Sequence, residues 1–355
     1  MVIKKEQIET PALLVDLDAL EFNIHKMADF YKEKNAKLRP HFKTHKSSAI
    51  AQMQIKAGAK GICCAKLGEA EILAAAGISD ILIANQIVDP IKVCRLAALA
   101  NNSRISVCVD NTENIVDLSQ AATAYGSTIY VLIELEVGMH RCGVATKEEA
   151  LKLAKQICDS DGLVFEGFQA YTGQLCHNAD QNARITGTTE AEAFVMDVKD
   201  HLERNGITVK EISGAGTGTY NIPGEHDLWT EIQAGSYVFM DTDYDRLDLG
   251  FKNSLSILTT VIHKRPGAAI TDAGKKVCCQ EEGSPVIKDY PGLFAKLNEE
   301  HGNIADENDE LKYLQKIEYI PSHCCTTINL HDNYYCIRSG LLEMVLPVSA
   351  RGASI

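Results

Sequence analysis

The feature that most constrains the fold is an alternation of short apolar runs with helical patterns over the first two thirds of the chain. Continuous apolar runs of this length are typical of strands buried on both faces of a parallel sheet. Helix-like stretches such as 68–76 and 147–158 separate them. Strands with intervening helices predict an α/β fold, and eight of them predict a closed (β/α)8 TIM-type barrel rather than an open sheet. The eight runs are 38–43, 61–66, 80–85, 105–110, 129–136, 164–171, 211–216 and 231–237.

The pattern changes after residue 240, where strand-like runs follow one another without long helices. This change predicts a barrel domain at 1–240 and a C-terminal β domain at 241–355. Residues 12–15 form a further strand-like run, and about the first ten residues are candidates to join the β domain. A polar, acidic insertion at 283–310 includes a possible helix at 288–300. The C-terminal runs are 255–264, 268–272, 311–319, 333–338 and 343–348.

Composition excludes several classes of function. A net charge of −13 over 355 residues argues against nucleic acid as a partner, because phosphate contacts need a basic surface. No apolar run reaches the roughly 18 residues of a membrane span, and the first residues carry two lysines without an apolar signal core. We therefore expect a cytoplasmic protein with no membrane partner. Its 12 cysteines, which include no CxxC pair, should be mostly reduced.

The segment Arg39-Pro-His-Phe-Lys43-Thr-His45-Lys46 places a lysine where the first buried run ends. In a parallel barrel, catalytic residues gather at the carboxyl ends of the strands. The arginine, the two histidines and the second lysine give Lys43 a cationic neighbourhood, which favours a neutral and nucleophilic amine. Such an amine is suited to Schiff-base chemistry, although spacing alone also fits a basic surface loop.

A glycine-rich turn at residues 213–219 follows the seventh run. Glycines let backbone amides approach an anion, and threonine hydroxyls add donors. The loops after the last two strands of a barrel are the usual phosphate site. The predicted cradle consists of Gly216, Thr217, Gly218 and Thr219, together with Gly235, Ser236 and Tyr237 in the eighth run.

Three more candidates follow the fifth and sixth runs. Arg141 lies in Gly-Met-His-Arg-Cys-Gly, and Tyr171 and His177 lie in Gln-Ala-Tyr-Thr-Gly-Gln-Leu-Cys-His. Their positions at predicted strand ends favour a functional role. A surface salt bridge for Arg141 and a structural role for His177 are the alternatives.

His323 and Cys325 are candidates to bind a metal ion in the C-terminal part. In an extended segment, side chains two residues apart project to the same side, so an imidazole and a thiol would meet. This pair of ligands suits Zn²⁺, and two protein ligands leave positions for water or substrate. The alternative is a surface histidine beside core cysteines.

Together these segments resemble those of the D-serine dehydratase/D-threonine aldolase family, which consists of alanine racemase-like, fold-type III pyridoxal phosphate (PLP) enzymes. The Thr271-Asp272-Ala-Gly274-Lys275 segment adds to the match, and the segments occur in the same order over nearly the whole chain. The resemblance implies that Lys43 carries PLP, that Arg141 lies near its phenolic oxygen, and that Tyr171 faces the ring. It also implies a phosphate in the glycine-rich cradle, a divalent metal (Zn²⁺, or else Mn²⁺) on His323 and Cys325, and a homodimer. Glu134 departs from the racemases, which carry a lysine at that position.

The implied function is a lyase acting on D-β-hydroxy amino acids. Cys325 favours a zinc enzyme and β-elimination, as in a D-serine dehydratase that forms a keto acid and ammonia. His177 favours the alternative, because it matches the position of a β-hydroxyl base in D-threonine aldolases, which release glycine and an aldehyde. We rank the dehydratase slightly ahead, with D-3-hydroxyaspartate as a further candidate substrate. A non-catalytic PLP-binding protein is a remote alternative, because such single-barrel proteins lack a C-terminal β domain.

Overall fold

The structure is a computed structural model that describes residues 2–355, so Met1 of the predicted barrel domain lies outside the described residues. The helices are α1 (Leu17–Tyr31), α2 (Ser48–Lys56), α3 (Leu67–Ala75), α4 (Pro90–Leu99), α5 (Thr112–Tyr125), α6 (Lys147–Cys158), α7 (Gln181–Arg204), α8 (Thr242–Asp245) and α9 (Cys324–Ile328). The strands are β1 (Ala12–Asp16), β2 (Lys37–Leu38), β3 (Ile62–Cys64), β4 (Asp80–Gln86), β5 (Arg104–Val109), β6 (Ile129–Glu134), β7 (Leu163–Ala170), β8 (Glu211–Gly214), β9 (Glu231–Ile232), β10 (Leu255–Arg265), β11 (Gly267–Thr271), β12 (Val286–Ile287), β13 (Ala295–Leu297), β14 (Gly302–Asp306), β15 (Lys316–Ile320), β16 (Asn333–Arg338) and β17 (Leu341–Pro347).

The chain divides into two compact units. The barrel unit comprises residues 27–43, 50–235 and 353–355, and the sheet unit comprises the described residues up to 26 together with 44–49 and 236–352. The predicted domain boundary after residue 240 stays a prediction.

The barrel unit contains an eight-stranded sheet in the order β2-β9-β8-β7-β6-β5-β4-β3, and every pairing within it is parallel. The two end strands meet through the residues that follow β2. Cys63 N donates to Pro40 O at 2.9 Å, and Phe42 N donates to Cys63 O at 2.7 Å. These bonds close the barrel and place the residues after β2 at the carboxyl ends of the strands.

Local sequence explains the helices between the strands. At α6, Thr146 Oγ1 accepts a hydrogen bond from Glu149 N at 3.2 Å, and Glu149 Oε2 accepts one from Thr146 N at 3.2 Å. This capping box starts the helix at the residue where the pattern predicts it. The helix then buries one face, whose members recur at helical spacing: Ala150, Leu153, Ala154 and Ile157.

Each of the eight predicted strands overlaps an observed strand from β2 to β9, but two of them, β2 and β9, end five residues before the predicted bound. Strand β2 ends at Leu38, and Pro40, which has no N–H to donate, follows two residues later. Strand β9 ends at Ile232, and residues Ser236–Val238 form a 3₁₀ turn instead. Lys43 therefore lies in a turn just beyond the strand end.

The sheet unit contains a second sheet, whose main path runs β13-β14-β11-β10-β1-β16-β17. Strand β1 pairs antiparallel with β10 and parallel with β16, and Lys5 N donates to Gly340 O at 2.9 Å. Strand β15 pairs with β10 and β12. The prediction of a TIM-type barrel followed by a C-terminal β domain is confirmed.

The predicted helix at 288–300 is wrong. Strand β12 precedes this stretch, and strand β13 occupies part of it. Pro291 and Gly292 interrupt any helix, and Asp289 and Gly292 have positive φ values of 66° and 87°. Among residues 2–355, no helix combines the length and the apolar character needed to cross a membrane.

Candidate active site

The loop after β2 presents one side chain to solvent. From residue 41 to residue 47, every residue is buried except Lys43. Lys43 N donates to His41 Nδ1 at 3.3 Å, and Ser47 N donates to His45 Nδ1 at 3.2 Å. Two imidazoles thus accept backbone hydrogen bonds and hold a tight turn, from which the lysine side chain projects.

Lys43 lines a cavity of about 180 Å³ within the barrel unit. Its wall is mostly polar and comes from the carboxyl ends of six different strands and the loops that follow them. The lining residues are His41, Lys43, Ala65, Ala84, Asn85, Gln86, Glu134, Arg141, Cys142, Gln169, Tyr171 and Gln233.

Three predicted site residues come together in this cavity. The Lys43 Nζ atom lies 5.7 Å from the centre of the Tyr171 ring, and the Arg141 guanidinium carbon lies 5.8 Å from the same centre. Both cations are within reach of a cation–π interaction. The half-buried Tyr171 ring therefore forms a flat wall near an amine and a guanidinium, which suits an aromatic, anionic ligand.

Arg141 forms an ion pair with Glu134, which in turn accepts a hydrogen bond from Gln86. Glu134 Oε1 lies 3.7 Å from an Arg141 guanidinium nitrogen, and Gln86 Nε2 donates to Glu134 Oε2 at 2.6 Å. Burial raises the pKa of Glu134, while the hydrogen bond from Gln86 and the charge of Arg141 act in the opposite direction. Both residues end barrel strands, a position that could have identified them from the sequence.

Arg39 does not contribute to the cationic neighbourhood of Lys43 that the sequence predicts. Its guanidinium is 2% exposed and bridges Asp80 Oδ1 and Glu231 Oε2, both at 2.8 Å. Asp80 and Glu231 are the first residues of β4 and β9. The charge of Arg39 is therefore neutralised at the amino ends of the strands, where a barrel carries structural rather than catalytic groups.

The glycine-rich turn packs closely on the segment that follows β7. A Cβ atom at Gly218 would lie 1.8 Å from Cys176 O, and one at Gly216 would lie 2.7 Å from Cys176 Sγ. Thr219 Oγ1 accepts a hydrogen bond from Gly216 N at 3.3 Å and closes a 3₁₀ turn over Thr217–Thr219. Only glycines allow this close approach, which leaves the turn compact and fully buried.

The remaining predicted phosphate ligands, Gly235, Ser236 and Tyr237, are buried as well. Gly235 belongs to the barrel unit, whereas Ser236 and Tyr237 belong to the sheet unit. Ser236 Oγ lies 3.8 Å from Cys325 Sγ, and the Tyr237 ring lies 5.7 Å from the ring of Phe251.

His177 is exposed in the turn between β7 and α7, and it is absent from the described residues that line the cavity. Its predicted catalytic role stays a prediction.

The predicted metal pair is brought together in the sheet unit, but the reason given by the sequence is wrong. His323 is the residue before the short helix α9, and Cys325 lies in its first turn rather than in an extended segment. The hydrogen bond between them raises the pKa of His323 to about 9, against the effect of burial. Cys325 Sγ also donates to Thr44 Oγ1 at 3.3 Å, and Thr44 follows Lys43 in the chain.

Two carboxylates that sequence reasoning missed surround this pair. Asp241 Oδ2 accepts from Cys324 N at 2.9 Å, and Glu281 Oε2 lies 3.2 Å from His323 Nδ1. No local pattern distinguishes Glu281 from other loop acids. Within residues 2–355, no group of three or more His, Cys, Asp or Glu side chains is arranged to hold a metal ion. A cation here would have His323 and Cys325 as its protein ligands and would keep open positions.

Comparison with known proteins gives matches over the whole chain. The family model for the N-terminal domain of alanine racemase matches residues 15–243, and a serine dehydratase domain model matches residues 254–337. A 3-hydroxy-D-aspartate aldolase of Paracoccus denitrificans (strain Pd 1222) is 39% identical, over 98% of this chain and 93% of its own. A D-threonine aldolase of an Arthrobacter species is 40% identical, over 98% and 94%.

A D-threo-3-hydroxyaspartate dehydratase of a Delftia species is 28% identical, over 90% of this chain and 92% of its own. Among solved structures, the crystal structure of D-threonine aldolase from Filomicrobium marinum superimposes with a TM-score of 0.98 and 38% identity, over 100% of this chain and 99% of that one. Aldolases and dehydratases are lyases, and the prediction of a lyase is confirmed.

Proposed function

This chain belongs to the D-serine dehydratase/D-threonine aldolase family of alanine racemase-like, fold-type III PLP enzymes, and on that premise we propose that it is a PLP- and metal-dependent aldolase of D-β-hydroxy amino acids. The observation that carries the proposal is the lone exposed lysine of an otherwise buried turn. Lys43 alone is exposed among residues 41–47, and its amine lies near Tyr171 and Arg141 in a cavity with a mostly polar wall.

The residues of the cavity fit the cofactor. Lys43 would bind PLP covalently, Tyr171 would cover the ring, and Arg141 would neutralise its phenolic oxygen. When bound, PLP supplies an electron sink for the electron pair left on the α-carbon of the substrate. If the neutral hydroxyl of Tyr171 were the group nearest the pyridine nitrogen of PLP, that nitrogen would stay largely unprotonated and the ring would be a weaker electron sink. The phosphate ligands remain as the sequence predicts them: Gly216, Thr217, Gly218, Thr219, Gly235, Ser236 and Tyr237.

The residues of the sheet unit fit a divalent cation. An imidazole and a thiol in contact form a borderline-soft donor pair, which favours Zn²⁺ and leaves Mn²⁺ as the alternative. A cation on His323 and Cys325 would supply Lewis acidity.

The comparisons favour the aldolase reaction over the dehydratase reaction, which reverses the order drawn from the sequence. The two aldolases are 39% and 40% identical to this chain, whereas the dehydratase is 28% identical. In aldol cleavage, a base takes the β-hydroxyl proton, the Cα–Cβ bond breaks, and the β-carbon leaves as an aldehyde. Lys43, in its protonated form, would then donate a proton to Cα, which yields glycine. His177 is the candidate for the β-hydroxyl base.

The experiment is a product analysis of D-threonine incubated with the purified protein, PLP and Zn²⁺. Aldol cleavage gives equal amounts of glycine and acetaldehyde, whereas elimination gives 2-oxobutyrate and ammonia from the same sample. L-Threonine serves as the stereochemical control, and the Lys43→Ala variant as the catalytic control. Parallel incubations with D-3-hydroxyaspartate and D-serine define the β-substituent.

Glycine with an aldehyde supports the aldolase, and a keto acid with ammonia would establish the dehydratase instead. Absence of both sets of products with all three substrates, together with an intact PLP absorbance band, would favour the non-catalytic PLP-binding alternative.

We also propose a homodimer. Strand β17 lies at one end of the main path of its sheet and exposes apolar side chains, including Leu341, Met344 and Val345 at 39%, 39% and 47%. An exposed apolar edge strand is a common site of association with another chain. A second copy of this chain is the partner we expect, and light scattering would measure its presence.

A further inference from the structure

Residues 279–281 brace the turn that carries the proposed metal pair. Cys279 N donates to Thr327 Oγ1 at 3.0 Å, and Thr327 Oγ1 donates in turn to His323 O at 2.9 Å. Two residues after Cys279, the Glu281 carboxylate lies 3.2 Å from His323 Nδ1. The same oxygen accepts a hydrogen bond from Thr326 Oγ1 at 3.3 Å.

This arrangement decides which imidazole nitrogen of His323 is available to a cation. A carboxylate accepts hydrogen bonds and donates none at neutral pH, so the nitrogen facing Glu281 must carry a proton. That nitrogen is Nδ1. In metal sites, a carboxylate that accepts from one ring nitrogen fixes the tautomer and makes the other nitrogen a better ligand.

Glu281 acts through His323 rather than as a metal ligand itself. Its side chain is 55% exposed, and its Oε2 atom is already shared between His323 and Thr326. It also belongs to no group of three potential ligands among the described residues.

We propose that Glu281 is a positioning residue that holds His323 Nδ1–H and thereby directs Nε2 to the divalent cation. The inference rests on the proposed metal role of His323 and Cys325. It assigns a function to a loop carboxylate that has no place in the cavity around Lys43.

The test is a titration of the metal-free, PLP-loaded full chain with Zn²⁺, followed by competition with a chromogenic chelator. Glu281→Ala should weaken Zn²⁺ binding by about 10- to 100-fold, the range usual for such outer partners. Glu281→Gln keeps an acceptor oxygen but loses the charge, so its effect should be smaller, and Glu281→Asp should restore part of the affinity. Glu282→Gln removes an exposed neighbouring carboxylate and should bind Zn²⁺ like the wild type.

A second measurement reads the tautomer directly. In a long-range ¹H–¹⁵N spectrum of Zn²⁺-loaded protein, with the His323 signals assigned by the His323→Ala variant, Nδ1 should be protonated and Nε2 metal-bound. The opposite pattern would overturn the inference. So would a Glu281→Ala affinity within about threefold of the wild type, given the larger change expected from removal of an outer partner.

The two proposals fail in distinguishable ways. If His323→Ala and Cys325→Ala bind Zn²⁺ as the wild type does, the proposed metal site is wrong, and the role of Glu281 falls with it. If those variants lose Zn²⁺ while Glu281→Ala keeps it, only the role of Glu281 is wrong. A Glu281→Ala variant that loses affinity, while its metal-free melting temperature stays unchanged, supports positioning rather than folding.

Discussion

Replacement of Arg39 by methionine should destabilise the barrel unit strongly without touching the cavity. Arg39 is 2% exposed, and its partner Glu231 is 3% exposed at a separation of 2.8 Å. Removing one member of a buried ion pair typically costs about 3–5 kcal/mol, because the other charge is left uncompensated. Lys60 Nζ still lies 2.9 Å from Glu231 Oε2, so we expect the lower end, about 3 kcal/mol.

The pH dependence measures the stabilisation that Glu231 receives from both of its cationic neighbours, Arg39 and Lys60. Burial alone would raise the pKa of Glu231, but the charges of Arg39 and Lys60 lower it from 4.5 to about 2. A carboxylate with a lowered pKa stabilises the fold fully above its unfolded pKa. At about 1.4 kcal/mol for each pKa unit, its contribution is about 3 kcal/mol at neutral pH. This contribution is lost as the pH falls from 4.5 towards 2.

Urea unfolding followed by tryptophan fluorescence is the assay. The chain has a single tryptophan, Trp229, which is 1% exposed and belongs to the barrel unit. The difference in unfolding free energy between wild type and Arg39→Met should stay constant from pH 8 to about 5 and shrink below 4.5.

The control is Arg95→Met, which breaks a surface pair with Glu71 whose side chains are 33% and 35% exposed. Such pairs contribute about 0.2–1 kcal/mol. In a double-mutant cycle, Arg39→Met combined with Glu231→Gln should be less destabilised than the sum of the single variants. A loss below about 1 kcal/mol for Arg39→Met, equal to that of the control, would refute the assignment of Arg39 to a structural ion pair.

Three further predictions concern the proposed site and assembly. Lys43→Ala should lose the absorbance band of bound PLP, and persistence of the band would mean that another residue carries the cofactor; Lys37→Ala, which changes an exposed lysine outside the cavity, is the control. Cys325→Ala should lower metal content and activity together, and unchanged metal content would mean that another residue binds the ion. Val345→Lys should halve the mass measured by light scattering if β17 forms the dimer contact, whereas Val116→Lys, at a site 43% exposed on α5, should leave the mass unchanged.

The barrel could be predicted because its signal is local. Each strand is a short apolar run, and helix α6 carries its own start signal in Thr146 and Glu149. The helix expected at 288–300 does not form, because Pro291 and Gly292 lie in the interior of that stretch, where both residues disfavour a helix.

From the sequence, the residues of the site could be predicted only where they lie at or just after the carboxyl end of a barrel strand. Lys43, Arg141 and Tyr171 follow strand ends, and the structure brings all three into one cavity. Gln86 and Glu134, the last residues of β4 and β6, satisfy the same rule. His177 also follows the end of a strand, β7, but it does not line the cavity. A 3₁₀ turn at Gly173–Leu175 separates it from the strand end.

The sequence by itself determined the order of elements, the family, and the lysine that carries the proposed chemistry, because each of these depends on residues close together in the chain. Only the tertiary structure decided which charges meet. Arg39 lies four residues from Lys43, yet its partner Glu231 is 192 residues away in the chain, and the ion pair neutralises the charge of Arg39. Glu281 reaches His323 across 42 residues. Whether a charged side chain is catalytic or structural depends on its partner, and long-range partners are fixed by the closure of the sheets rather than by local pattern.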